Sequence, residues 1–263
     1  MTDARIFYIS GMNQEVFCSI LYGWMALALI VFFILLRLKV PYGRHATDKW
    51  GPGIPNKWAW FVMELPALLS FSLFLFGSAK PLPYQAYVVY GLYVIHYFRR
   101  TFIYPFRLHD NGKKMPVLVV LLGIGFNVMN GFLNGYWLAN FAPDYGLDWY
   151  RDPRFIAGLS IFVVGMYLNI KSDDIVLNLR KGGKKGYYIP QQGLYRYVSA
   201  PNLLGEIIEW CGWALLAWSL PAFSFALWSM ANLIPRALDH HRWYRERFPE
   251  YPKDRKAILP GIL

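Results

Sequence analysis

The side chains with the most chemical scope in this sequence stand where polar groups are expensive. Glu64 falls early in one apolar run, and His96, Tyr97 and Arg100 close the next. Asn169 and Asp173, four apart, close another run, Glu206 and Glu209, three apart, open one, and Arg236, Asp239 and His240 close the last. Ionisable groups inside membrane-length segments are costly, so each is a functional candidate by default. A fixed acid deep in a half-open cavity suits general acid chemistry. The plainer alternative for Glu64 is a carboxylic acid hydrogen-bonded to a neighbouring helix. Asn127, Asn130 and Asn134 repeat at helical spacing beside Gly131 and Gly135, a small-residue pattern that serves close helix packing or lines a pocket. His240 and His241 stand next to Asp239, but adjacent histidines on a helix point about 100° apart and make poor co-ligands, so no metal site is expected. The segment Arg180-Lys181-Gly182-Gly183-Lys184-Lys185-Gly186 could cradle phosphates or could meet anionic headgroups, and composition leaves both open. No G-x-G-x-x-G stands between a strand and a helix, so any nucleotide is held in a non-Rossmann way.

These groups need elements to carry them, and the composition says which. Of 263 residues, 56% are hydrophobic and 19% aromatic, with 16% charged, more apolar content than a soluble core of this size requires. Runs near the roughly 20 residues needed to cross a bilayer recur at 16–38, 58–76, 84–104, 117–141, 155–171, 203–219 and 221–235. The expectation is an all-α integral membrane protein, one domain over 1–263 with seven transmembrane helices. The last two should form a tight hairpin at Ser219-Leu220-Pro221-Ala222. Between the first two spans, several prolines and glycines predict an irregular loop. The start, through Asn13, reads as preceding a retained first span rather than as a removable signal peptide. Cys18 and Cys211 lie in apolar runs with no partner at ligand spacing, so neither disulfide nor metal is expected.

Orientation follows from Lys and Arg, which favour the cytoplasmic side. The segments 37–57, 99–116, 171–202 and 236–263 hold 5, 5, 6 and 7 of these, against 1, 1, 2 and 0 in the alternate ones. The N-terminus is therefore expected outside and the C-terminus in the cytoplasm. Every polar cluster then falls at the cytoplasmic end, in a cavity closed by loops 39–57, 105–116 and 172–202 and the tail 236–263. The net charge of +11 belongs to these loops rather than to a nucleic-acid-binding face.

Four blocks of residues carry a family resemblance. They are Tyr197-Val198-Ser199-Ala200-Pro201-Asn202 running into Leu203-Leu204-Gly205-Glu206-Ile207-Ile208-Glu209-Trp210; His240-His241-Arg242-Trp243-Tyr244 followed by the 248–257 segment; Asn169-Ile170-Lys171-Ser172-Asp173; and His96-Tyr97-Phe98-Arg99-Arg100-Thr101-Phe102. In kind and order they resemble the steroid 5α-reductase family, from about Tyr42 to the C-terminus. The resemblance implies a seven-helix enzyme in which NADPH reduces the C4–C5 double bond of a 3-keto-Δ4 steroid or a related enone. It implies that Glu64 and Tyr97 hydrogen-bond the ketone, and that the cofactor meets Asn169, Asp173, Arg180, Tyr187, Asn202, Glu206, Arg236, His240 and Tyr244. Arg100, Tyr42, Arg44 and Trp60 would close the site. The expected partners are a steroid-like substrate from the bilayer and membrane lipid, with no nucleic acid and no obligate protein partner. The membrane would be a bacterial inner membrane or the endoplasmic reticulum. The sequence departs from the family at Met63, where animal members carry glutamine, and at Tyr188, where arginine is expected. Rival readings are a membrane methyltransferase of the isoprenylcysteine type, whose methyl donor would not need the basic loop, and a proton-coupled transporter using Glu64, Glu206 and Glu209.

Overall fold

The computed structural model describes residues 11–41, 43–45, 50–78, 80–108, 112–179 and 186–263. Seven helices of at least 15 residues occur among them and overlap the seven expected runs: α1 (Gln14–Leu35), α2 (Asn56–Phe76), α3 (Tyr84–Phe98), α5 (Val117–Asn140), α6 (Pro153–Asn178), α7 (Pro201–Ala217) and α8 (Leu220–Arg247). α1, α2, α5 and α6 are by themselves long and apolar enough to cross a membrane. The chain is accordingly a helical membrane protein.

Two features modify the purely helical expectation. Strand β1 (Gly53–Pro55) pairs antiparallel with β2 (Lys114–Pro116), Ile54 opposite Met115, in the loops that lead into α2 and α5. The ribbon starts both helices at one level, and they run parallel, Met63 against Gly123 and Ser70 against Gly131. The third run is also not one helix. After Phe98 it opens into a π-helical turn, Arg99–Ile103, before the short α4 (Tyr104–Arg107). Pro105 explains this: its nitrogen donates no hydrogen bond and its ring crowds the carbonyl one turn back. The turn separates Arg99 from Arg100, which reach different partners.

α6 and α7 run antiparallel with their backbones in close contact. A Cβ on Gly165 would fall on the backbone of Glu209, and one on Gly205 on the backbone of Asn169, so only glycine permits this seam. Between the helices lies an aromatic core in which Tyr93, Tyr97, Trp210, Trp213 and Phe225 pack together, with Trp210 and Phe225 centroids 4.3 Å apart. Trp228 of α8 packs tilted against Trp24 of α1, ring centroids 4.4 Å apart, and donates to its carbonyl at 3.0 Å. The hairpin between α7 and α8 forms at the expected residues, where Ser219 caps α8 and Trp218 takes a left-handed φ of 44°.

Both α6 and α8 outlast their apolar runs, extending the bundle into a polar end. There the C-terminal segment returns to the 186–202 loop. Ser199 and Ala200 donate backbone bonds to Lys256 and Ala257 at 2.8 and 3.2 Å. Arg255 donates to the Pro190 carbonyl at 3.0 Å, and Ser199 Oγ lies 2.6 Å from His241 Nδ1 and 2.7 Å from the Tyr251 hydroxyl.

Candidate active site

Glu64 and Tyr97 come from α2 and α3, and an asparagine of α5 joins them. The Tyr97 hydroxyl donates to Asn127 Oδ1 at 3.2 Å, and Asn127 Nδ2 donates to Glu64 Oε2 at 3.3 Å and to the Met63 carbonyl at 2.7 Å. Arg100 stands 3.8 Å from the other Glu64 oxygen. Tyr97 is held from behind by Tyr93, with ring centroids 4.4 Å apart. Asn127 thus takes the pocket-lining role that the sequence left open against packing.

This cluster sits in the wall of a cavity of about 760 Å³ whose other walls are mostly apolar, among them Trp24, Leu27 and Val31 of α1 and Phe225 and Trp228 of α8. A second cavity of about 390 Å³ lies toward the polar end. The two share Trp60, Arg100, Glu206, Leu233 and Arg236, so one wall borders both spaces.

The polar cavity gathers most of the residues that the resemblance assigned to the cofactor. Arg44, Asp173, Tyr187, Asn202 and His240 line it alongside Trp60, Arg100, Glu206 and Arg236 of the shared wall. Two do not line it. Asn169 is buried in a network behind the wall, accepting from Arg99 at 2.9 Å and donating to the Asn202 carbonyl at 3.0 Å and to Glu206 at 3.3 Å. Tyr244 is stacked on Tyr251 and lies under the Arg44 guanidinium, 4.6 Å from its ring centroid, so it sets the direction of Arg44. Sequence blocks mark residues that build a site without separating contact from support. Tyr42 and Arg180 lie outside the described residues.

The structure adds residues that sequence reasoning passed over. Lys57 and Lys113 line the polar cavity, and Lys113 donates to the Tyr187 hydroxyl. Their only sequence signal was membership of basic loops, which every membrane protein has. Arg99 anchors the network by donating to Asp173 at 3.1 Å, and Asn202 donates to the other Asp173 oxygen at 3.2 Å.

Electrostatics agrees with an anion in this cavity. Arg44 Nη1 is buried with no hydrogen-bond partner among the described residues, although the group borders the cavity. An unmet buried donor of this kind calls for an acceptor. Burial, reinforced by Arg44 and Arg236, holds His240 well below the usual histidine range, and burial likewise lowers His45, which stacks on it at 5.8 Å. His240 is therefore neutral near pH 7. No group of three or more His, Cys, Asp or Glu suited to a metal occurs among the described residues.

A helical membrane protein with an apolar cavity, a cationic cavity and an acid cluster at their junction defines a class of enzyme that brings a lipid-soluble substrate to a soluble anionic cofactor. Comparison with known proteins specifies it. The family model described as 3-oxo-5-alpha-steroid 4-dehydrogenase matches residues 113–263. Steroid 5-alpha-reductase DET2 of Gossypium hirsutum is 43% identical over 258 residues, covering 95% of this chain and 98% of the relative. The human 3-oxo-5-alpha-steroid 4-dehydrogenase 2 is 44% identical over 232 residues, covering 84% and 87%, and the Bos taurus type 1 protein is 38% identical over 242, covering 90% and 93%. The chain belongs to the steroid 5α-reductase family. It is an oxidoreductase acting on CH–CH bonds, and membership implies a nicotinamide cofactor. The methyltransferase and transporter readings are thereby set aside.

Proposed function

We propose that this protein reduces the C4–C5 double bond of a 3-keto-Δ4 steroid with NADPH. The observation that carries the reading is the shared wall, with the Glu64, Asn127 and Tyr97 cluster on its apolar side and, on its polar side, an Arg44 donor that has no partner among the described residues. NADPH, when bound, supplies the hydride. Arg44, Lys57, Lys113 and Arg236 hold its phosphates, together with Arg180 by family resemblance. Glu206, steadied by Asn169, would hold the carboxamide, with Trp60 and Arg100 beside it in the shared wall.

On the apolar side, Tyr97 turns its hydroxyl from Asn127 to the substrate ketone, and Glu64 in its acid form donates to the same oxygen. Two donors aimed at one carbonyl draw electron density from the conjugated double bond and make the β-carbon electrophilic. As negative charge grows on the oxygen during hydride transfer, these bonds strengthen, so they favour the transition state over the ground state. The apolar walls exclude water and keep that charge interaction strong. Met63 presents no donor to the substrate. We further infer that all seven long helices cross the membrane, with the N-terminus outside and the polar cavity open to the cytoplasm.

The test is NADPH oxidation by the detergent-purified protein with progesterone or testosterone, products identified by mass. A product two mass units heavier supports the reading. NADPH binding without turnover redirects it to other lipid enones. Absence of NADPH binding overturns it.

A further inference from the structure

One buried pair has no task in the mechanism above. His96 of α3 and Glu209 of α7 are 4% and 0% exposed, with Nδ1 and Oε1 2.8 Å apart. The second Glu209 oxygen has no hydrogen-bond partner among the described residues. Glu209 sits on the glycine seam, its backbone against Gly165, so close packing fixes its depth. The His96 ring meets Trp210 edge to face at 4.5 Å and Tyr97 at 5.2 Å. His96 lines the apolar cavity, and Glu209 stands behind it. With Nδ1 committed to Glu209, Nε2 is left on the opposite edge of the ring.

Reduction of an enone requires a proton at the α-carbon as well as a hydride at the β-carbon. The α-carbon is bonded to the carbonyl carbon, so its donor must stand close to the groups that hold the ketone. Among the described residues, the ionisable side chains around the apolar cavity are His45, Glu64, His96, Tyr97, Arg100, Glu206, Arg236 and Asp239. Glu64 and Tyr97 are engaged with the oxygen, and guanidinium groups do not give up protons in proteins. Glu206 is bonded to Asn169 in the shared wall, Asp239 is paired with Arg242, and His45 stacks on His240 at the polar rim. His96, next to Tyr97 in the chain and in space, is the group that remains.

We infer that His96, backed by Glu209, delivers the proton to the α-carbon; this rests on the reductase reading above. After the hydride reaches the β-carbon, the electron pair of the enolate carbon–carbon double bond takes the Nε2 proton. A C–H bond forms at the α-carbon, the Nε2–H bond breaks with its electrons left on the ring, and the ketone double bond is restored. The imidazolium becomes an imidazole that still donates Nδ1–H to the Glu209 carboxylate. A proton from solvent recharges it before the next turnover. As an imidazolium–carboxylate pair, the two residues carry no net charge into their apolar surroundings. The carboxylate also fixes the tautomer, as in other histidine–carboxylate dyads.

The experiment runs the purified full-length enzyme with unlabelled NADPH in D₂O and reads the face of the α-carbon that carries deuterium. Wild type places deuterium on one face. His96→Gln lowers kcat by about a hundredfold, leaves NADPH binding unchanged and spreads deuterium over both faces, because water replaces a fixed donor. Glu209→Gln keeps the hydrogen bond but removes the charge; it lowers kcat less and enlarges the solvent isotope effect. Single-face labelling at wild-type kcat in His96→Gln overturns the inference alone. Should that variant fail to fold, unchanged kcat and isotope effect in Glu209→Gln overturn it equally. A wild type that reduces no enone removes the reductase reading and this inference together.

Discussion

The two cavities are built from different material. The apolar one is walled by side chains of the long helices, whose positions follow from packing in the bundle. The polar one is assembled from the 43–45 turn, the β1 and β2 loops, the π-helical turn with α4, the 186–202 loop and one end each of α2, α6, α7 and α8. One holds its shape through the bundle core, the other through hydrogen bonds, stacked rings and buried cations. A substitution in either should therefore disturb its own ligand and spare the other, unless it touches the shared wall.

The sharpest break comes at the acid cluster. Glu64→Gln or Tyr97→Phe should lower kcat by about a thousandfold while NADPH binding, followed by fluorescence titration, stays near wild type. Equal loss of both would mean that the cavities are not separable. Arg44→Ala should come next, raising KM for NADPH by roughly 10- to 100-fold, the value of a charged hydrogen bond to phosphate, with steroid KM unchanged in steady-state assays. Trp24→Ala reverses the pattern, raising steroid KM by about tenfold through lost aromatic burial and sparing NADPH. Smallest is a pH effect confined to the polar side. The folded state holds His240 and His45 below their unfolded value near 6.5, so the unfolded chain binds more protons and stability falls as pH drops below about 6.5, by at most about 1.4 kcal/mol per pH unit for the buried His240 and by less for the half-buried, solvent-screened His45. Thermal unfolding from pH 7.5 to 5 should show this slope, and His240→Gln should flatten it.

The same division governs what could be read from the sequence. Apolar runs announced the helices, and the common depth of Glu64, Tyr97, Arg100 and Glu206 announced their convergence, because helical rise converts position into depth. The hairpin at Pro221 was legible from local chemistry. The π-helical turn was not, although Pro105 was in plain view, because a proline near a helix end also reads as a simple stop. The β1 and β2 ribbon escaped because three-residue strands leave no periodicity. Asn127 was visible as a polar residue in an apolar run, but its partners Met63, Glu64 and Tyr97 belong to α2 and α3, distant in sequence. That Asn169 and Tyr244 stand behind the polar cavity's wall rather than lining it was not legible, since support and contact look alike until distances exist.

The clamp between the C-terminal segment and the 186–202 loop bears on biogenesis. Backbone bonds from Ser199 and Ala200 to Lys256 and Ala257, with the Arg255 anchor on Pro190, join a loop made before α7 to residues translated after α8. The helices through α8 can insert span by span, while the floor of the polar cavity waits until the segment after α8 has been made. A nascent chain would thus present its lipid-facing scaffold before its polar cavity had a floor, so the apolar cavity precedes the polar one in assembly.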